Sequence, residues 1–156
     1  MSNDRPATYG YKELADHIEA VLGERPSASL LRGARAEARR AGAHPTRARR
    51  VRPSLTAGMP PPLPPLARTA PARFDAEQIK TWLAHHPAHA WDRAVTSARE
   101  RLAAGQPVEE VVVDALRAGL AWSVLTTLIN AAAVAAGGRA RTKSAIHQRY
   151  RHLDGR

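Results

Sequence analysis

The chain has 156 residues, room for one ordinary domain or two very small ones, which disfavours an enzyme with a large enclosed active site. Lys and Arg number 24 against 14 Asp and Glu, a formal net charge of +10 that directs the protein towards a polyanion. With no cysteine, disulfide frameworks, thiolate zinc sites and cysteine nucleophiles are excluded together.

The first residues, Met1 to Lys12, are polar and lack the apolar run of a secretory signal, so a cytoplasmic protein is expected. From Tyr11 to Leu22 the residues Leu14, Ala15, Ile18, Val21 and Leu22 recur at helical spacing, predicting an amphipathic helix. Gly23 and Pro26 stop it. Ser27 or Ser29 can cap a second helix that runs to about Arg40 before Gly42 and Pro45. Between Arg32 and Arg52 there are eight arginines and one acid, Glu37. Arg32, Arg35 and Arg39 share one face of the second helix, Arg40 follows them, and Leu30, Leu31, Ala34 and Ala38 can supply the other face. Beyond it Arg47, Arg49, Arg50 and Arg52 form a flexible arm of the kind that follows phosphates or a narrow minor groove. The bland alternatives are a solvated helix face and the arginine and alanine enrichment of a GC-rich genome, against which the clustering argues.

From Ala43 to Arg73 there is no helical or strand periodicity, and eight of the 12 prolines fall between Pro45 and Pro71. An extended, mobile segment is expected, with polyproline II character from Met59 to Pro65. Asp75 caps the next helix, with Phe74 and Ile79 as its staple, and Pro87 breaks it after Leu83. Trp91, Ala94, Val95, Ala98 and Leu102 make the stripe of a helix closed by Gly105. Pro107 opens another that ends at Gly119. An apolar helix from Trp122 to about Ala136 ends at Gly137 and Gly138. The uncharged run Leu120 to Gly138 approaches membrane-spanning length, but its alanines and central Asn130 argue against insertion. A last basic helix covers Thr142 to Leu153.

That helix carries the second cationic cluster: Arg139, Arg141, Lys143, Arg149 and Arg151, with no acid before Asp154. Ala145, Ile146, Tyr150 and Leu153 are expected to face inward. Thr142, Lys143, Ser144, His147, Gln148 and Arg151 would then be offered to phosphates and base edges, the alternative being a basic tail packed on the protein body. His85, His86 and His89 carry no accompanying carboxylate or thiol, so no metal and no cofactor is expected, and no catalytic constellation is visible.

Two stretches resemble known families. Tyr11-Lys12-Glu13-Leu14-Ala15, Leu30-Leu31-Arg32, Gly58-Met59-Pro60-Pro61-Pro62 and Arg73 to Leu83 resemble the excisionase-like branch of the winged helix-turn-helix proteins. The resemblance implies that Leu30 to Arg40 enters a major groove and that the arginine-rich region after it forms or replaces the wing; Ser29, just ahead of that stretch, is counted among the expected DNA contacts. The turn Gly23 to Ser29 and the segment Ala43 to Arg73 are longer than that family's pattern. In the second half, Ala115 to Trp122, Leu125, Leu128 and Thr142 to Tyr150 resemble a sigma-factor-like helix-turn-helix, whose recognition helix would be the last one. Trp122 to Asn130 is the other candidate, disfavoured because it contains no cation.

The resulting expectation is a mainly α protein with two small modules. Residues 1–86 would form a winged helix-turn-helix in which 43–73 is a wing or a linker, and residues 88–156 a second helix-turn-helix. A non-enzymatic, sequence-specific double-stranded DNA-binding protein follows, a transcriptional regulator or mobile-element accessory factor with no membrane association. An RNA-binding protein and an adaptor that docks acidic partners through its basic and proline-rich segments are the alternatives. A homodimer on a palindrome and a two-module monomer both fit.

Overall fold

The computed structural model describes residues 7–40 and 51–155, the side chains of 38–40 excepted. These residues are mainly helical. In chain order they form β1 (Thr8–Tyr9), α1 (Tyr11–Leu22), α2 (Ala28–Arg40), β2 (Phe74–Asp75), α3 (Ala76–Ala84), α4 (Pro87–Ala103), α5 (Val108–Arg117), α6 (Trp122–Ala135), α7 (Lys143–Tyr150) and a 3-10 turn, Arg151–Leu153. They divide into two compact units, the first of residues 7–40 and 53–89, the second of Val51, Arg52 and 90–155. The division falls inside α4, two residues beyond the break read at Pro87, because His89 Nε2 donates to Leu83 O (2.8 Å) and ties the first turn of α4 to α3.

In the first unit Glu13 accepts the Gly10 N–H (2.6 Å) at the start of α1, which buries Leu14, Ala15, Ile18 and Leu22. Val21 falls at one edge of that stripe and is exposed. Ser27, not Ser29, caps α2 by accepting the Leu30 N–H at 3.1 Å. Leu31 and Ala34 turn inward, whereas Leu30, expected to do the same, is exposed. β1 and β2 pair antiparallel, Thr8 with Asp75 and Tyr9 with Phe74, so the residues just ahead of α3 bridge back to the start of the chain. No other strand occurs among the described residues, so no β wing is present between α2 and β2 there. Asp75 does cap α3, accepting the Gln78 N–H at 2.8 Å.

Residues 51–73 have no regular structure, yet those that belong to this unit are tethered to it. Leu55, Met59 and Ala72 are buried in the core shared by Leu14, Ile18, Leu31, Phe74 and Ile79. Trp82 Nε1 donates to Ala57 O (2.9 Å), and Leu63 N–H donates to Arg73 O (2.7 Å). The expected mobile extension is therefore corrected for these residues: a few apolar side chains, too sparse to show a period, anchor the coil to the helices.

The second unit has its own core, built on Ala98 and Leu102 of α4, Val111, Val112, Ala115 and Leu116 of α5, Leu125 and Leu128 of α6, and Ile146, Tyr150 and Leu153. Arg101 links α4 to α5 by donating to Gln106 (2.6 Å) and Asp114 (2.7 Å). α5 and α6 are joined by the short turn Ala118–Ala121, in which Gly119 takes φ +87° and Leu120 N–H returns to Ala115 O at 2.9 Å while its side chain is buried. At 14 residues α6 is shorter than a membrane span needs, and no helix among the described residues is long and apolar enough to cross a membrane.

Candidate nucleic-acid interface

In the second unit the end of α6 determines where the cations go. Gly138 N–H donates to Ala133 O (2.8 Å) and closes the helix, and a Cβ on Gly138 would stand only 2.9 Å from that oxygen. Asn130 then grips the returning chain from both sides. Its Oδ1 accepts the Arg141 N–H (2.8 Å), and its Nδ2 donates to Arg141 O (2.7 Å). Both polar ends of one amide are satisfied by the backbone of one residue, so the segment entering α7 is held in a single register. Thr142 caps α7 by accepting the Ala145 N–H at 3.2 Å, and Ile146 and Tyr150 anchor the helix in the core.

Around this anchored helix Arg139, Arg141, Lys143, Arg149 and Arg151 are all exposed, and none has an acidic partner among the described residues. Ser144, His147 and Gln148 are exposed as well. His147 lies edge-on to Trp122, ring centroids 5.0 Å apart, and Trp122 Nε1 reaches Asp154 at 3.3 Å. The Arg149 guanidinium stands 5.4 Å from the centre of the Tyr150 ring. Ala145, expected inside, is exposed, because α7 is anchored by residues one full turn apart and Ala145 lies beside that line.

Among the described residues of the first unit three cations are paired, while Lys12, Arg32, Arg35 and Arg68 have no acidic partner. Arg25 is bound by Asp16 and Glu19, Arg73 lies 3.8 Å from Glu13, and Lys80 pairs with Glu77 at 2.7 Å. Donating hydrogen bonds to the Glu19 and Asp16 carboxylates holds the Arg25 guanidinium still more firmly in its charged form, raising its pKa above the usual value, and Lys80 gains the same from Glu77. Ser29 and Arg32 are exposed on α2, with Arg32 Nε donating to Ala28 O (3.1 Å), while Arg35 is half-buried. Beside them a shallow groove is lined by the hydroxyls of Ser27, Ser29, Ser54 and Thr56, by Gly33 and by one acid, Glu37. Ser54 and Thr56 are hydroxyl donors that sequence reasoning missed, since only folding brings residues beyond position 50 alongside α2.

Arg39 and Arg40 lie on the last turn of α2, but their side chains, and Arg47, Arg49 and Arg50 entirely, lie outside the described residues. Arg52, expected in the flexible arm, instead makes a two-point pair with Asp92, Nε to Oδ1 and Nη2 to Oδ2 both at 3.1 Å. A guanidinium held by a carboxylate in this way is committed to the protein, so Arg52 leaves the candidate set. The histidines flanking Pro87 serve the backbone: His85 Nδ1 donates to Thr81 O (2.9 Å), and His86 Nδ1 accepts the Ala88 N–H (3.1 Å). Among the described residues no group of three or more metal-binding side chains is gathered.

Comparison of the chain with protein-family models, with curated proteins and with solved structures finds no match.

Proposed function

We propose that the protein binds double-stranded DNA in a sequence-specific manner through two helix-turn-helix modules, as a transcriptional regulator or an accessory factor of a mobile element. The observation that carries the reading is the set of five exposed cations around α7 with no acidic partner among the described residues. A basic patch of this kind is the electrostatic footprint of a polyanion partner. Arg139, Arg141, Arg149 and Arg151 contact phosphates, while Lys143, Ser144, His147 and Gln148 face base edges. In the first module Ser29 and Arg32 take the corresponding places on α2, and Ser54 and Thr56 donate hydrogen bonds to the phosphate backbone flanking that helix. The resemblance to excisionase-like and sigma-factor-like modules supports the same assignment.

Selection of bound duplexes from a random library at about 150 mM salt, with Arg32→Ala and Lys143→Ala alongside, tests the proposal. A defined motif, one half of which each variant loses, is the expected result. Binding without enrichment, or tighter binding to structured RNA, would overturn it.

A further inference from the structure

Alongside α7 the second unit contains a groove of about 380 Å³, within the range of about 300–1,000 Å³ over which proteins bind small molecules. Leu102 of α4, Ile129 of α6 and Ile146 of α7 give it an apolar floor, and Arg139, Arg141 and Arg149 line the same cleft. The site is built rather than incidental. Asn130 locks the Arg141 backbone from both sides, and the Gly138 to Ala133 hydrogen bond fixes the turn from which Arg139 emerges.

The chemistry of the lining narrows the ligand. A bare phosphate would engage the arginines and leave the apolar floor wet, and a neutral hydrocarbon would cover the floor and leave three cations uncompensated. A molecule with a flat apolar body and a carboxylate covers the floor and gives the arginines an anion to grip. Guanidinium groups grip a carboxylate at two points and stack on aromatic faces. We propose that this groove is a binding site for a small aromatic carboxylate, and that its occupation opposes DNA binding because the same three arginines serve both. The second half rests on the DNA-binding reading, and the first half stands without it.

The test is calorimetric titration of the full chain with 2-naphthoate, next to its uncharged analogue 2-acetylnaphthalene, repeated on Arg139→Ala and on Ala132→Phe, which fills the groove. Saturable binding of one molecule per chain is expected, weakened about tenfold or more by loss of the ligand charge or of Arg139. Ala132→Phe should abolish it while the helical circular dichroism persists. If that variant does not fold, Arg139→Ala, at an exposed position, still decides the matter. No saturation up to about 1 mM, or equal binding of the charged and uncharged compounds, would overturn the site. In a companion titration naphthoate should displace duplex DNA from the native chain. If DNA binds and naphthoate binds without displacing it, the antagonism falls. If no duplex binds at all, the DNA reading fails while the direct titration still decides the groove.

Discussion

Asn130 is an amide in an uncharged helix, and its worth lies in two hydrogen bonds to one backbone position eleven residues on. Replacing it with Ala removes both and leaves the Arg141 amide and carbonyl without that partner. Asn130→Ala is expected to cost about 1–3 kcal/mol in denaturant unfolding and to weaken DNA binding more than its stability loss explains, because α7 loses its register. Two glycines make a paired test. Gly138→Ala drives a Cβ to 2.9 Å from Ala133 O and should destabilise by about 1–3 kcal/mol. Gly33 lies inside α2 with open space where a Cβ would go, so Gly33→Ala should stabilise by about 0.5–1 kcal/mol in the same assay. Composition alone points to Asn130 only as an obstacle to membrane insertion. Its partner is set by where α6 ends and the chain turns back, which no local pattern encodes.

At the scale of elements the helices were legible because each carries its own punctuation. Asp75 and Thr142 at N-termini, Gly23, Gly105 and Gly119 at C-termini, and Pro87 as the first residue of α4 all act within one turn of themselves. The β1–β2 pair escaped notice because each strand is two residues long and the partners lie more than sixty positions apart. The coil after position 50 was misread for a related reason. Proline removes amide donors and prevents helix, but it does not prevent isolated apolar side chains from reaching a core. Met59 provides the test: with its side chain buried in the first unit, Met59→Ala should cost about 2–5 kcal/mol by denaturant or thermal unfolding. A free linker would register the change within about 0.5 kcal/mol.

For the whole molecule the decisive quantity is how much of the +10 charge is available to a polyanion. If about 6–10 phosphates are neutralised, DNA affinity should fall by roughly three to five decades between about 50 and 200 mM salt. Arg149→Ala or Arg151→Ala should lower the slope of log affinity against log salt by about 0.9 each, as one released counterion requires. Arg52→Ala should leave that slope unchanged, because Asp92 already neutralises Arg52. Fluorescence anisotropy over a salt series measures all three, and a flat response for Arg149→Ala and Arg151→Ala would remove α7 from the interface.

From the amino-acid sequence by itself came the helical class, most helix boundaries, the basic character and the segment that carries the second cationic cluster. These depend on periodicity, caps and net charge, which act over a few residues or sum over all of them. Only the tertiary structure decided which of the described arginines are uncommitted, that Arg52 belongs to Asp92, that Asn130 holds the entry to α7, and that Ser54 and Thr56 lie beside α2. A charge is available or paired according to which side chain folding brings within about 3 Å of it, and that distance is set by long-range packing.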